Sequence, residues 1–319
     1  MVVTSKEKVN SNRIGMSDAV LKSLTRIVGA VRVWSVLWKS EKKEVKTMND
    51  LAESIRKTWP GMTVFVDVDG TYARWQTMHS FFEAMVAYGA FPEVTRAMLE
   101  KNLSGWKNRE LPFREFIDCM VRVFRTWLPG IRTDVAEFVA TSMLKREGRR
   151  VNVFVRELLS AAREVGLTNA FISGSPEVVV RALAKAVGVE IFLGTEYPHE
   201  DGVYVPGEPR QWVLDKGEAV RHLAHMYRLK LEDSVAIGDS EGDIPMFESV
   251  RWPICFNPND VLFRAARERS WPVVIERKNV ILCFKPDISG RLQETALAAI
   301  LPQWLAGTLQ DRLRPWSCL

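Results

Sequence analysis

The chain has 319 residues, of which 47% are hydrophobic and 26% charged, a composition typical of a globular protein with one large domain or two ordinary ones. Its four cysteines are far apart and form no CxxC pair, which argues against a zinc site and a disulfide framework and predicts a reducing, cytoplasmic location. The net charge of +5 lies in residues 1–60, which carry 12 lysines and arginines against 6 acidic residues, so the rest is close to neutral and we expect no nucleic-acid partner.

Residues 1–60 are predicted to form a basic N-terminal extension. Within it, residues 18–38 mix apolar and basic side chains, and because Lys22, Arg26 and Arg32 interrupt the apolar run we expect no membrane span. The segment is either a helix at a membrane interface, giving a peripheral membrane contact, or a helix docked on the protein body or on a partner chain. The docked helix is the interpretation that we favour.

The most informative segment is a short apolar run that ends in two aspartates. Residues 62–67 are rich in β-branched and aromatic side chains, which predicts a buried strand. Asp67 and Asp69 stand at its end, and Gly70 and Thr71 then turn the chain. In an open α/β sheet, ligands bind at the carboxyl ends of the strands. These carboxylates therefore predict a site for a cation and for attack on an electrophile, unless they are only solvated turn residues.

The rest of the chain alternates between helical and strand patterns. Residues 73–150 are almost wholly helical and are predicted to form a cap over the end of the first strand. Beyond them, short apolar runs alternate with helical segments, which is typical of a doubly wound, mostly parallel sheet. The predicted elements are a helix at 151–165, strands at 169–173, 190–194, 234–238, 253–256 and 272–275, helices at 176–187 and from 215, and a hairpin at 201–207.

These patterns divide the chain beyond the extension into three parts. The predicted fold class is α/β, with a Rossmann-like core formed by residues 61–72 and 151–285. The α-helical cap is inserted between the two core segments, at residues 73–150. Residues 286–319 are predicted to form a C-terminal helical segment, in which Leu292–Leu313 carries an amphipathic pattern.

Polar residues at the ends of three predicted strands are expected to meet at one edge of the sheet. They are Asp67 with Asp69, Ser173, and Asp239, and Lys216 begins a helix between the last two strands. Each has an ordinary alternative role as a helix cap, a turn residue or a surface lysine. Together they supply what phosphoryl transfer through a covalent aspartyl phosphate requires: a nucleophile, a proton donor, groups that hold the phosphoryl oxygens, and ligands for a hard cation.

Four separated motifs resemble, in their order, the signature motifs of the haloacid dehalogenase superfamily: Asp67-Val-Asp-Gly-Thr71, Ser173, Lys216 and Gly238-Asp-Ser-Glu-Gly-Asp243. The helical insertion and the runs Ile244–Phe247 and Asn257–Asp260 are similar to the phosphoserine phosphatase-like branch. The resemblance implies phosphate-ester chemistry, because phosphatases have an acid two residues after the nucleophile, as Asp69 is here, whereas dehalogenases lack it.

The resemblance also implies a role for each residue that matches a motif. Asp67 would be the nucleophile and Asp69 the general acid and base. Ser173 and Lys216 would bind the phosphoryl oxygens, with help from the backbone amide of Gly174.

A magnesium ion is the cofactor that the resemblance implies. It would be held by Asp67, by the backbone carbonyl of Asp69 and by Asp239. Asp243 completes this acidic set, orienting either Lys216 or a metal-bound water.

The segment after the first motif departs from the phosphoserine phosphatase pattern. Gln76 stands near the place of a glutamate that pairs with the amino group of phosphoserine in those enzymes. A neutral amide cannot pair with an ammonium as a carboxylate does, so phosphoserine is not the expected substrate. Arg74, Trp75 and His79 either line the substrate pocket or pack within the cap.

A serine hydrolase is a competing interpretation, since Gly238–Gly242 also matches the pattern G-x-S-x-G. That mechanism needs a histidine later in the chain. All four histidines precede Ser240, which excludes it: His79, His199, His222 and His225.

We therefore expect a Mg²⁺-dependent phosphatase that acts on a small phosphorylated substrate. One alternative is a lipid-phosphate phosphatase at a membrane surface, suggested by residues 1–60 and by the amphipathic Leu292–Leu313. The other is a phosphotransferase or mutase, which shares the same chemistry. The sequence predicts no oligomeric state.

Overall fold

The computed structural model describes residues 61–318, which form a nine-stranded sheet, a separate two-stranded hairpin and surrounding helices. The strands are β1 (Thr63–Asp67), β2 (Thr168–Pro176), β3 (Ile191–Thr195), β4 (His199–Glu200), β5 (Val203–Tyr204), β6 (Val235–Gly238), β7 (Trp252–Phe256), β8 (Val273–Arg277), β9 (Val280–Pro286), β10 (Leu292–Glu294) and β11 (Ser317–Cys318).

The strand order confirms the predicted doubly wound α/β sheet. It runs β10-β9-β8-β7-β6-β1-β2-β3, with β11 beside β9, and every neighbouring pair from β8 to β3 is parallel. All five residues of β1 are buried, because helices cover both faces of the sheet. Val64 and Val66 belong to one apolar cluster, whereas Phe65 belongs to the cluster on the opposite face.

Most of the helices connect one parallel strand to the next along the chain. They are α1 (Thr77–Ala87), α2 (Val94–Lys107), α3 (Phe113–Trp127), α4 (Thr133–Glu147), α5 (Val153–Glu164), α6 (Glu177–Val187), α7 (Lys216–Tyr227), α8 (Ile244–Phe247), α9 (Asp260–Arg269) and α10 (Gln303–Leu313).

The four helices α1 to α4 occupy the segment where the sequence predicts a cap. Their apolar faces meet in an aromatic cluster, in which the rings of Phe81 and Phe124 stack at 5.8 Å and Phe91 meets Phe124 edge-on at 5.4 Å. This cluster is continuous with the apolar core above the sheet. The insertion therefore packs on the carboxyl end of β1 through a shared core.

The hairpin formed by β4 and β5 connects the helical insertion to the core. Asp201 and Gly202 form its turn with φ values of +48° and +78°, which an Asp-Gly pair adopts readily. The backbone of Tyr204 accepts from the N–H of Gly130 at 2.8 Å and donates to the carbonyl of Ile131 at 2.9 Å. The sequence placed this hairpin at 201–207, slightly later than its paired strands.

The structure of the C-terminal segment shows that one prediction, a helix over its whole length, is wrong. Residues 286–319 were expected to be helical, but β9 extends to Pro286 and β10 (Leu292–Glu294) pairs with it in antiparallel register. Helix begins at Gln303, one residue after Pro302. The error arose because an isolated apolar pattern cannot distinguish a short strand at a sheet edge from the start of a helix.

Helix α10 buries the apolar face that suggested a membrane surface. Leu305, Leu309 and Leu313 are fully buried, and the helix packs on α5, where Arg312 lies 3.3 Å from Glu157.

The predictions for residues 1–60 lie outside the described residues. Within residues 61–318, no helix is long and apolar enough to cross a membrane.

Candidate active site

The carboxyl ends of β1, β2 and β6 lie side by side and bring the predicted residues together. Strand β1 pairs in parallel with β2 on one side and with β6 on the other. In this register Asp67 lies beside Ile172, so Ser173 follows at the same edge, and Asp239 follows the last residue of β6. The connections run in opposite directions from β1, which is the position where open α/β sheets bind ligands.

Lys216 connects two of the aspartates. Asp215 caps helix α7 by accepting a hydrogen bond from the N–H of Glu218 at 3.0 Å, which fixes Lys216 as the first residue of the helix. The buried Lys216 Nζ donates to Asp67 Oδ1 at 2.5 Å and to Asp243 Oδ1 at 2.6 Å. Both contacts compensate a charge that would be strongly unfavourable if it were buried without partners.

Two glycines allow this close packing of acidic side chains. Asp243 is fully buried, and its Oδ2 accepts from the N–H groups of Asp239 and Ser240, each at 3.0 Å. A Cβ at Gly238 would overlap the carboxyl group of Asp243. Gly70 has a φ of +93°, and a Cβ there would overlap the carboxyl group of Asp239.

Asp69 is held by three donors from two elements. Its Oδ2 accepts from Ser173 Oγ and from Ser175 Oγ, each at 3.0 Å, and its Oδ1 accepts from the N–H of Thr77 at 2.5 Å. Ser173 and Ser175 are two residues apart on β2 and so share a face. Because Thr77 is the first residue of α1, the helical insertion is fixed directly to this carboxylate.

Burial and like charges make the acidic cluster hard to ionise. Burial raises the pKa of Asp67 to about 7, and Lys216 opposes this shift. Burial, together with the charges of Asp67 and Asp243, raises the pKa of Asp239 to about 9. Burial alone would lower the pKa of Lys216, but Asp243 and Asp67 hold it above its usual value. Three carboxylates thus face one buried ammonium in the described residues.

The same cluster has the properties of a site for a hard cation. Carboxylate oxygens of Asp67, Asp239 and Asp243 lie within 4.8 Å of one another. Asp67 Oδ2 is buried and has no hydrogen-bond partner among the described residues, so it is free to act as a ligand. Both oxygens of Asp243 already accept hydrogen bonds, Oδ1 from Lys216 and Oδ2 from the backbone N–H of Asp239. The residues present are suited to a metal ion, with Asp243 better placed to hold Lys216.

A cavity of about 750 Å³ opens between the helical insertion and the core, and Gly70 is among the residues that line it. The three residues that the sequence placed either in the pocket or in cap packing, Arg74, Trp75 and His79, all line it, and so does Gln76. Trp75 is 8% exposed and Arg74 is exposed. A volume of this size accommodates a metabolite.

A family model described as haloacid dehalogenase-like hydrolase matches residues 64–248, which is more than half of the chain. The chain belongs to the haloacid dehalogenase-like hydrolase family. The family predicted from the four motifs is therefore confirmed.

Relatives of this haloacid dehalogenase-like protein include phosphatases. A probable phosphatase of Mycobacterium tuberculosis is 33% identical over 120 residues, or 37% of this chain and 42% of the relative. A phosphoserine phosphatase of Archaeoglobus fulgidus is 27% identical over 156 residues, or 48% of this chain and 42% of the relative. The chain thus spans less than half the length of these curated relatives. They confirm the predicted likeness to the phosphoserine phosphatase-like branch.

A solved structure shares the haloacid dehalogenase-like fold. It is a protein of unknown function from Bordetella pertussis Tohama I, which is 20% identical, with a TM-score of 0.54 over 67% of this chain and 98% of that chain. The fold of this part of the chain is therefore one that experiment has observed in another protein.

Sequence reasoning missed several residues that shape the site. Ser175 carried a usable signal, because it is two positions after Ser173 on a strand. Asn152 carried none: its Nδ2 donates to the carbonyls of Gly70 at 3.1 Å and Thr71 at 2.7 Å, more than 80 positions away. Gly174, predicted for its amide, lies between the two serines, and its carbonyl accepts from Thr195 Oγ1 at 2.7 Å.

Proposed function

We propose that this protein is a Mg²⁺-dependent phosphatase that hydrolyses a small phosphomonoester through an aspartyl phosphate on Asp67. The observation that carries the proposal is the asymmetric environment of Asp67. One of its oxygens is fixed by Lys216, while the other is buried and has no hydrogen-bond partner within residues 61–318. A fixed carboxylate with a free electron pair at a ligand-binding edge of the sheet is suited to attack on phosphorus.

The two halves of the reaction use the two aspartates in turn. Asp67 attacks phosphorus, the bond from phosphorus to the ester oxygen breaks, and Asp69 gives its proton to the leaving alkoxide. Asp69 then takes a proton from water, which attacks phosphorus and breaks the bond to Asp67. Both aspartates are thereby restored, and inorganic phosphate is released.

The neighbouring residues support these steps. Lys216 stabilises negative charge on the phosphoryl oxygens, together with the Gly174 amide. Ser173 has one hydroxyl proton, which it gives to Asp69 here. When Ser173 turns toward a phosphoryl oxygen, Ser175 keeps Asp69 in place.

Mg²⁺ would be held by Asp67, Asp239 and the backbone carbonyl of Asp69, with Asp243 holding Lys216. The ion would neutralise charge between the carboxylates and the phosphoryl group. Support comes from the oxygen-only ligand set and from the unpartnered Oδ2 of Asp67.

The proposed cap is residues 73–150, on a core of residues 61–72 and 151–285, and it closes over the substrate. A lipid phosphate is less favoured, because the apolar face of α10 is buried. A cytoplasmic location is supported by two cysteines that are buried as free thiols, Cys119 and Cys255.

The test is release of inorganic phosphate from a panel of amino-acid, sugar and lipid phosphates with Mg²⁺. Asp67→Asn should lower turnover by roughly 10³-fold or more. Asp233→Asn, an exposed aspartate outside the site, is the matched control and should retain full activity. Substantial turnover by Asp67→Asn would contradict the mechanism. Alcohol release in excess of phosphate release would instead indicate a phosphotransferase.

A further inference from the structure

The side chains that line the cavity between the cap and the core indicate which charge the leaving group of the substrate carries. It is lined by Gly70, the residue after Asp69, and by residues of α1, α2, α4 and the core. A phosphoryl group at Asp67 would therefore place its ester substituent in this cavity. This inference rests on the proposed phosphatase function.

The acidic side chains that line the cavity are already engaged. Glu83 accepts from Arg96 Nε at 2.9 Å, and Glu147 accepts from Arg150 Nη1 at 3.0 Å. Glu276 accepts from the backbone N–H groups of Val153 at 3.0 Å and Phe154 at 2.8 Å, at the first turn of α5. A cationic group on the substrate would find no free carboxylate among the described residues of this cavity.

Three other side chains that line the cavity, by contrast, have no partner among the described residues. The indole N–H of Trp75 is buried and has no hydrogen-bond partner among residues 61–318, and an indole can only donate. The side chains of Arg74 and Lys107 are exposed and form no hydrogen bond or ion pair within the described part of the chain.

The other polar residues of the cavity add no negative charge. Gln76 is neutral at every pH. Burial lowers the pKa of His79, so its ring is neutral at physiological pH and offers one donor and one acceptor. The described residues of this cavity therefore offer a ligand unpaired positive charge but no unpaired negative charge.

We propose that the leaving group of the substrate carries a second anionic group, a carboxylate or a second phosphate, which Arg74 and Trp75 bind within the cavity. A guanidinium and an indole N–H both donate to such a group. Lys107 adds positive charge from α2. Substrates whose leaving group carries an ammonium are disfavoured, because the described residues of the cavity offer no unpaired carboxylate to it.

A matched series of phosphate esters tests this selectivity with the Mg²⁺-loaded full chain. The compounds are 3-phosphoglycerate, glycerol 3-phosphate, phosphoethanolamine, and the pair fructose 1,6-bisphosphate and fructose 6-phosphate. We expect kcat/KM for an anionic ester to exceed that of its neutral counterpart by roughly tenfold or more, and phosphoethanolamine to be the poorest substrate. The two pairs show whether the second group is a carboxylate or a phosphate.

Two variants assign the selectivity to the cavity. Arg74→Gln and Trp75→Phe should each reduce the ratio of kcat/KM between anionic and neutral esters several-fold, mainly through KM. The matched control is Arg122→Gln, an exposed arginine of α3 that does not line the cavity, and it should leave the ratio unchanged.

Equal kcat/KM across the series with Asp67-dependent turnover would overturn this inference and leave the phosphatase function intact. Failure to hydrolyse any ester would instead count against the proposed function. In that case, the selectivity is tested by calorimetric measurement of the binding of the same esters to the Mg²⁺-loaded Asp67→Asn protein. Tighter binding of the anionic esters would support the inference, and equal dissociation constants would overturn it.

Discussion

Lys216 Nζ lies 2.5 Å from Oδ1 of Asp67, although the two residues are 149 positions apart. The contact holds one carboxylate oxygen, and the other has no hydrogen-bond partner in the part of the chain that the structure describes. Asp243 holds the same ammonium from the far side at 2.6 Å. Because both carboxylates raise the pKa of Lys216, the lysine stays charged across the pH range in which enzymes are active.

Replacing Lys216 with methionine should lower kcat by about 10² to 10³, because the variant loses a fixed positive charge beside the reacting phosphoryl group. Lys216→Arg should recover little activity, since a guanidinium is too large for this buried position. Steady-state kinetics at saturating Mg²⁺ measures both, with circular dichroism to verify folding. A kcat within threefold of wild type for Lys216→Met would exclude the assigned role.

Metal binding should become stronger as pH rises. The pKa values of about 7 for Asp67 and about 9 for Asp239 lie above those of unfolded aspartate, so the metal-free folded protein binds more protons than the unfolded chain between about pH 4 and 9. Its stability therefore falls with rising pH in that window. Mg²⁺ binds the ionised carboxylates and reverses the loss.

The measurement is Tm in Mg²⁺ and in EDTA over this pH range. We expect the Mg²⁺-induced increase in Tm to grow with pH, and Asp239→Asn to remove most of it. An increase that does not depend on pH in the wild-type protein would count against carboxylate ligands with raised pKa values.

Ser175 should matter for the proton transfer step through its hydrogen bond to Asp69. Ser175→Ala removes one of the donors that fix this carboxylate, and we expect kcat to fall about tenfold with KM little changed. Ser160→Ala is the matched control, because its hydroxyl donates to the carbonyl of Arg156 on α5, away from the site. An unchanged kcat for Ser175→Ala would show that Ser173 and Thr77 suffice.

Gly238 should tolerate no side chain. Gly238→Ala places a methyl group against the carboxyl of Asp243, and we expect a loss of about 1–3 kcal/mol in the free energy of unfolding, with a loss of activity. Gly307→Ala in α10 is the control: a Cβ there meets nothing within 4 Å, so the helix should gain up to about 1 kcal/mol. Urea titration measures both. Equal stability of the two variants would disprove the packing argument.

The sequence alone was sufficient to predict the fold class and to place the reactive groups at one edge. Residues 62–67 form a strand because their apolar run must be buried on both faces, and alternation of strands and helices brings strand ends together. Asp67, Ser173 and Asp239 follow those strands directly. Their proximity therefore depends on local patterns and on a general rule of topology.

Other features depended on contacts between distant segments, which no local pattern encodes. Leu292–Glu294 lies in a segment predicted to be helical, but it forms β10 at the edge of the sheet because it pairs in antiparallel register with β9. No local pattern singled out Glu276, whose carboxylate accepts a hydrogen bond from the backbone N–H of Val153, 123 positions earlier. Such contacts decide which charges in the cavity are paired and which are free. The chemistry that we propose at Asp67 could thus be inferred from the sequence, whereas the selectivity that we propose for the cavity depends on tertiary packing. The charge available to a ligand is the charge that remains after the protein has paired its own groups.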